Sequence, residues 1–244
     1  MSQPKNIPEG QSPNASSKAS NGAKQRHIFR KIIAIIIALG MIALGVYFML
    51  GCTSAQKEQT TPTEETETED GVEAVDMGLS VRWASSNVGA ATGEDAGYYF
   101  AWGEVEPSDS YVWRNASTYN VMVEGATLPV ARDVATTLGE GWRMPTIEEF
   151  EELIAVCEWR FKESDGSLGY EITAPNGNTI FLPAAGYIYD TTCSHSGIEG
   201  LYWCSNIAED GDYKHATAFK LTNRDKTFET LYRYYGAQIR AVKE

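Results

Sequence analysis

The sequence is poor in the side chains that most metal and catalytic sites require. It contains four cysteines and three histidines among 244 residues. No Cys-x-x-Cys or His-x-x-x-His spacing occurs, so a zinc site has no ligand pattern to support it. The Gly-x-Ser-x-Gly motif of serine hydrolases is absent as well. We therefore expect no catalytic residues, no metal site and no cofactor, and we predict that the protein is not an enzyme.

Basic residues are also scarce. The chain has 20 Lys and Arg against 33 Asp and Glu, for a net charge of −13. Within residues 72–244 there are 13 basic and 26 acidic side chains. Binding to a phosphate backbone depends on clustered Lys and Arg. This composition argues against nucleic acid as a partner.

One long hydrophobic run interrupts the polar N-terminal part. Residues 32–51, IIAIIIALGMIALGVYFMLG, contain no charged side chain. A run of about 20 apolar residues matches the hydrocarbon thickness of a bilayer, so it predicts a transmembrane helix in contact with membrane lipid. Residues 1–31 carry six basic side chains and one acidic one. Basic flanks stay in the cytoplasm, which places the C-terminal part of the chain outside the membrane.

A second interpretation of the anchor stays open. Met49-Leu50-Gly51-Cys52 resembles a bacterial lipobox, in which a cysteine behind a small residue is lipidated after signal cleavage. Cys52 would then hold the protein to the cell envelope as a lipoprotein. Both interpretations export the same domain.

The segments on either side of the hydrophobic run have little to bury. Residues 1–31 are mostly small and polar, and we expect the tail that they form to be disordered. Residues 52–71 are acidic and nearly free of apolar side chains, which predicts a flexible linker. The folded domain is therefore expected to occupy residues 72–244.

The clearest helix signal in that domain is a capping box. Thr146 and Glu149 stand three residues apart and precede an apolar stripe at helical spacing. Residues 131–138 predict a shorter helix that stops at Gly139. The stripe of the longer helix consists of Phe150, Leu153, Ile154 and Cys157.

Strand signals outnumber helix signals. Leu79, Val81 and Trp83 alternate with polar residues. Asn176-Gly177 lies between two β-prone runs and predicts a hairpin whose central residues tolerate positive φ. Further strands are predicted in GLYWCS, HATAFKL and GAQIRAV. The pattern indicates an α+β domain with an antiparallel sheet and one or two helices packed to one side.

Five islands of sequence, taken in order, resemble the Fibrobacter succinogenes major paralogous domain family. They carry VDMGLSVRWASSNVGA, GYYFAWGE, GWRMPTIEEFEELI, APNGNTIFLPAAGY, and LYWCSN followed by RYYGAQIRAV. The islands lie at residues 75–90, 97–104, 141–154, 174–187, 201–206 and 233–242. This resemblance covers nearly the whole exported domain. It implies a C-type lectin-like fold in a bacterial envelope protein, often one with a lipoprotein signal.

The resemblance also guides the search for function. The family is similar at the fold level to formylglycine-generating oxidases, which use a pair of cysteines near the C-terminus. This chain has no cysteine after Cys204. It also lacks the calcium-binding Glu-Pro-Asn motif of animal lectins. We therefore expect a binding module for a glycan or a surface protein. The alternatives are a structural surface component without a small ligand and, after it, an enzyme related to the formylglycine-generating oxidases.

Loops between the shared motifs are the expected ligand-binding surface, because binding residues are found disproportionately on loops. Aromatic and polar side chains outside the scaffold motifs are the candidates. They are Tyr187, Tyr189, Asp190, His195, Asp212, Tyr213, His215 and Arg224. Cys193 and Cys204 are candidates for a disulfide, which an exported domain permits.

The charge asymmetry predicts how the chain sits in the membrane. Proteinase added to intact spheroplasts should digest the domain after residue 71, because that domain is expected outside the membrane. Residues 1–31 should survive on the cytoplasmic side. Immunoblotting with antibodies to each end measures this, and protection of the C-terminal domain would reverse the predicted topology.

Overall fold

A computed structural model describes residues 72–208 and 212–244. Within these residues no helix is long and apolar enough to cross a membrane. The predicted tail at 1–31, membrane segment at 32–51, linker at 52–71 and lipidation site at Cys52 all lie outside the described residues.

Short antiparallel strands dominate the described domain. They form a four-stranded sheet in the order β1-β2-β12-β3, two three-stranded sheets, β11-β10-β9 and β4-β5-β6, and the two-stranded hairpin β7-β8. The strands are β1 (Ala74–Val75), β2 (Arg82–Ala84), β3 (Trp142–Arg143), β4 (Glu158–Ser164), β5 (Ser167–Thr173), β6 (Thr179–Pro183), β7 (Tyr187–Tyr189), β8 (Thr192–Ser194), β9 (Glu199–Trp203), β10 (His215–Thr222), β11 (Lys226–Tyr232) and β12 (Val242–Lys243).

The predicted capping box is confirmed. Helix α1 spans Ile147–Val156, the Thr146 hydroxyl accepts the amide of Glu149, and the Glu149 carboxylate accepts the amide of Thr146 in return. Phe150 and Leu153 on its apolar stripe are fully buried. The shorter predicted helix is different: two successive 3-10 helices, Val130–Arg132 and Val134–Leu138, replace it. Pro129 precedes the first 3-10 helix, and the buried Asp133 caps the second. Because Asp133 has an extended backbone, it interrupts the helical turns and no α-helix forms across it.

The predicted hairpin at Asn176-Gly177 is confirmed, but its turn is not the expected one. Strands β5 and β6 pair antiparallel on either side of it. Gly177 alone has a positive φ, at 87°, and its amide donates to the carbonyl of Ala174. Pro175 explains the difference, because its ring holds φ negative and starts an ordinary turn that Gly177 then closes.

The sheet β11-β10-β9 separates two hydrophobic cores. In β9, Tyr202 packs into the core that contains Phe150 of α1, whereas Leu201 and Trp203 pack into a second core with Trp102. Strand β10 alternates in the same way, with Phe219 on the first side. Side chains of a strand point to opposite faces in turn. Both faces of β9 are therefore buried, and the strand has no exposed residue.

The tryptophans of the shared motifs belong to this scaffold. Trp83, Trp102, Trp142 and Trp203 are all buried. The indole of Trp203 donates to the carbonyl of Phe100 at 2.7 Å. Its polar atom is thus satisfied inside the second core.

Replacing Trp203 with alanine should unfold the domain or come close to it. Loss of so large a buried side chain costs about 3–5 kcal/mol, and the substitution also removes one of the two hydrogen bonds that the Phe100 carbonyl accepts, leaving the one from the amide of Ala237. Thermal or urea unfolding measures the change. Trp113→Ala is the matched control, because that indole is 56% exposed and should cost little. Equal melting temperatures for the wild type and Trp203→Ala would show that Trp203 does not contribute to the stability of the core.

Candidate functional site

Most of the predicted loop residues meet at one surface that is rich in tyrosine. Six tyrosine rings contact one another there, with a histidine ring at each end. We call this surface the tyrosine face. Its tyrosines are Tyr119, Tyr187, Tyr189, Tyr232, Tyr234 and Tyr235, and its flanking histidines are His195 and His215.

The β7-β8 hairpin supplies two of these rings. Ile188 is buried, so the alternation of the strand turns Tyr187 and Tyr189 toward the surface. The backbone of Ile188 exchanges two hydrogen bonds with Gly236, at 2.8 and 2.9 Å. Gly186 begins the hairpin with φ 73°, and a Cβ there would clash with the carbonyl oxygen of Ser194. A glycine is therefore required where the hairpin folds back.

The last residue of β11 and the segment after it supply three more rings. Tyr232 and Tyr234 flank the buried Arg233 and project outward, and the amide of Tyr235 donates back to the carbonyl of Tyr232. Gly236 follows, and a Cβ added to it would lie 2.9 Å from the ring of Tyr111. The close approach of this segment to its neighbours fixes where the tyrosines emerge.

Arg233 lies beneath the tyrosine face and binds the loops around it. Its guanidinium donates to four backbone carbonyls, at 2.9–3.1 Å. The acceptors are the carbonyl oxygens of Thr118, Val121, Asp212 and His215. The same group lies 4.4 Å from the ring centroid of Trp102. Burial lowers the pKa of Arg233, with the charge of Asp212 opposing that effect.

The rings are packed against one another as two stacked pairs and several edge contacts. Tyr187 and Tyr235 lie nearly parallel, with centroids 5.7 Å apart and planes 3° apart. Tyr232 and Tyr234 form the second pair, at 5.1 Å and 12°. Tyr189 lies between the pairs, 5.4 Å from Tyr235 and 6.3 Å from Tyr234. The rings thus hold one another in place while the face stays open to solvent, with Tyr189 48% exposed and Tyr232 39% exposed.

Two phenol groups of this face, those of Tyr234 and Tyr235, have a raised pKa and are held in the protonated form. Burial and the neighbouring tyrosines raise the pKa of Tyr234 to about 12. The pKa of Tyr235 is raised by burial and then by Tyr187, Tyr189 and Tyr232. Neutral phenols both donate and accept hydrogen bonds. The face can therefore offer ring surface and hydroxyl groups together.

Each flanking histidine is held by a carboxylate. His195 has a φ of 61°, and its Nδ1 lies 2.7 Å from the carboxylate of Glu199. Glu199 is buried and also pairs with Lys220 at 3.1 Å. At the other end, Nδ1 of His215 lies 2.6 Å from the carboxylate of Asp212. Both rings are thereby oriented at the edges of the tyrosine face.

Asp190 and Tyr213 lie at the border of the face. Asp190 forms the tip of the β7-β8 hairpin with φ 54°, and its carboxylate accepts the hydroxyl of Ser110 at 2.6 Å. The carbonyl of Tyr213 accepts the amide of Asn120, next to Tyr119, at 2.7 Å. The pKa of Asp212 is lowered, first by the hydrogen bond from the backbone amide of Lys214; burial opposes this effect. These predicted residues are therefore within reach of one site.

Arg224 is not part of that site. It lies in the turn between β10 and β11, whereas His215 and Tyr232 pair at the opposite end of the same hairpin. Seven paired positions separate the two ends, which is roughly 20 Å at the rise of a strand. The structure thus separates Arg224 from the other predicted ligand residues.

Four tyrosines of the face were missed by the sequence analysis: Tyr119, Tyr232, Tyr234 and Tyr235. Tyr234 and Tyr235 belong to the RYYGAQIRAV motif, whose residues were interpreted as scaffold. The run Tyr232-Arg233-Tyr234-Tyr235 holds three tyrosines in four residues. Alternation about a single arginine was the available signal that its aromatic rings share a surface.

The predicted disulfide between Cys193 and Cys204 is wrong. Cys204 is a free, fully buried thiol in the first core, and burial raises its pKa far above the usual range. Cys193 lies on β8 instead, with its Sγ 3.9 Å from the carbonyl oxygen of Ala185. The core packing that holds Cys204 keeps it away from the hairpin and from solvent.

Comparisons with known proteins add no further guide to function. No family model matches the chain, and no curated protein or solved structure matches it significantly. Among the residues that the structure describes, no group of three or more His, Cys, Asp or Glu side chains is placed to hold a metal ion. The tyrosine face is therefore the feature on which a function can be argued.

Proposed function

We propose that the domain is a binding module of the bacterial cell envelope and that it captures a glycan or a protein ligand on the tyrosine face. The observation that carries this proposal is the continuous surface of six tyrosines. Tyrosine offers a large, rigid and amphipathic contact area at a low cost in side-chain entropy. Aromatic anchors of this kind dominate the energetics of binding surfaces.

The arrangement of the face supports binding more than it supports catalysis. Burial and neighbouring rings raise the pKa values of Tyr234 and Tyr235, so these two phenols are neutral. Both histidines are engaged by carboxylates at 2.6–2.7 Å. The thiol of Cys204 lies in the first core, away from this face, and burial raises its pKa. A preorganised surface of packed tyrosine rings is suited to recognition.

The proposal includes the fold family and the place of the domain in the cell. The small antiparallel sheets with one helix, the buried tryptophans and the loops that bear the tyrosines are compatible with a C-type lectin-like domain of the Fibrobacter succinogenes major paralogous type. The charge pattern around residues 32–51 supports export on a transmembrane anchor, with lipidation at Cys52 as the alternative.

Alanine in place of Tyr189 or Tyr232 should weaken binding without unfolding the domain. The experiment screens the full chain in lipid nanodiscs against a glycan array and a panel of bacterial surface proteins, with empty nanodiscs as the blank. We expect each substitution to reduce the affinity for the selected ligand by about 30-fold, as loss of a hot-spot aromatic does. Thermal melting of the variants should shift by a few degrees at most.

Tyr98→Ala is the matched control for that experiment. Tyr98 is 38% exposed, like Tyr232, but it lies outside the tyrosine face and packs on Gly89 and Phe100. Its removal should leave affinity unchanged. Equal weakening by all three substitutions would show that the tyrosine face is not the contact surface. Failure of the wild-type protein to bind any ligand would favour a structural surface component instead.

A further inference from the structure

A second concave site lies on the domain, and its lining shares no residue with the tyrosine face. It is a pocket of about 830 Å³. The walls come from the two 3-10 helices, the loop at 139–141 and strand β3. Its lining residues are Thr127, Leu128, Val130, Asp133, Thr136, Gly139, Glu140, Gly141, Trp142, Arg143, Met144, Thr146, Ser205 and Glu244.

The volume and the walls are those of a small-molecule site. Pockets for such ligands occupy about 300–1,000 Å³ and combine apolar walls with a few placed polar groups. Leu128, Trp142 and Met144 are buried members of the second core and give this pocket its apolar wall. The pocket is therefore large enough for one ring system with its substituents.

The buried Asp133 makes the pocket a fixed part of the fold. Its two carboxylate oxygens accept the backbone amides of Ala135 at 2.9 Å and Met144 at 2.7 Å. These two bonds tie the second 3-10 helix to the chain beside β3. Burial raises the pKa of Asp133, and the backbone amides and Arg143 oppose that change. The pocket is thus built around a carboxylate that is already anchored on both sides.

Ser205 is the unusual residue of this lining. It is buried, and its hydroxyl has no hydrogen-bond partner within the described residues. A buried hydroxyl without a partner costs about 1–3 kcal/mol, so native structures rarely keep one without a use. Its backbone is well held, because its amide donates to Pro145 and its carbonyl accepts the amide of Leu128. The residue that carries the unpaired hydroxyl is therefore held rigidly in the wall of the pocket.

The charges at the pocket exclude anions. Asp133, Glu140 and Glu244 contribute carboxylates to its lining. The cation of the lining, Arg143, is already engaged by Glu149 at 2.5 and 2.9 Å and by Glu244 at 3.3 Å. Lys243 lies over the ring of Trp142 at 5.4 Å and is not among the lining residues. The net field therefore favours a neutral or cationic ligand.

We propose that this pocket binds a small amphipathic molecule with an aromatic or other ring, at least one hydrogen-bond donor and no negative charge. The ring packs against Trp142 and the apolar wall, and the donor pairs with the hydroxyl of Ser205. The site is independent of the ligand that the tyrosine face captures.

Three indoles that differ only in their side-chain head group test the proposal: tryptophol, tryptamine and indoleacetate. They are neutral, cationic and anionic in turn. Binding to the full chain in lipid nanodiscs is measured by saturation-transfer NMR and calorimetry, with empty nanodiscs as the blank for partition into lipid. We expect tryptophol and tryptamine to bind, and indoleacetate to bind at least about tenfold more weakly because of the three carboxylates.

Two variants separate a binding role from a structural one. Ser205→Ala should weaken binding of tryptophol about tenfold, the worth of one hydrogen bond, while the melting temperature stays equal or rises because no buried hydroxyl is left unpaired. Val130→Trp should block the pocket, since Val130 is 75% exposed in its lining. Val156→Trp is the matched control, because Val156 is an exposed valine at the end of α1 outside the lining.

The possible results divide cleanly. Weaker binding in Ser205→Ala and Val130→Trp, with normal binding in Val156→Trp, supports the site. The proposal is overturned if no indole binds the wild type, if indoleacetate binds best, or if both pocket variants bind like the wild type. It is also overturned if Ser205→Ala lowers the melting temperature, because the hydroxyl then has a structural partner.

Discussion

The buried guanidinium of Arg233 is the interaction on which the tyrosine face depends. A charge removed from water is costly unless it is fully hydrogen-bonded, and here four backbone carbonyls and the ring of Trp102 take the place of solvent. Those carbonyls belong to two loops, at 118–121 and 212–215, that are distant in sequence. A planar fork of donors can reach both loops at once, which a lysine cannot. The same residue separates Tyr232 from Tyr234, so the side chain that joins the two loops also fixes the position of these tyrosines.

A second buried arginine performs a similar task elsewhere in the domain. Arg240 donates to Asn87, to the carbonyl oxygen of Ala84 and to that of Phe181, and burial lowers its pKa to about 10. It thereby joins β2 and the chain that follows it to the middle of β6. Much of this domain is irregular backbone, whose polar groups need partners that strands would otherwise provide. Buried arginines that donate to carbonyl oxygens supply those partners. The domain can therefore satisfy its backbone even though its strands are short.

Local patterns in the sequence predicted the parts of the fold that depend on local chemistry. The capping box of Thr146 and Glu149 and the hairpin at Gly177 each rest on a few adjacent residues, and both are present. The two 3-10 helices were predicted as one helix because the role of Asp133 depends on Met144, eleven residues away. The same limit applies to Cys204, which directly follows β9 and is buried in a core that periodicity alone did not reveal. Of the residues on the tyrosine face, the hairpin tyrosines and both histidines are among the candidates that the sequence predicts, whereas the tyrosines around Arg233 lie within a motif interpreted as scaffold.

Hydrogen exchange of the full chain, compared between wild type and Arg233→Lys, tests most directly whether one buried side chain shapes the tyrosine face. The account predicts faster exchange in residues 118–121, in residues 212–216 and at the amides of Tyr235 and Gly236. Exchange in β5 and β6, which lie in a separate sheet, should remain slow. Unchanged exchange in the two loops, or a uniform loss of protection across the domain, would contradict the account.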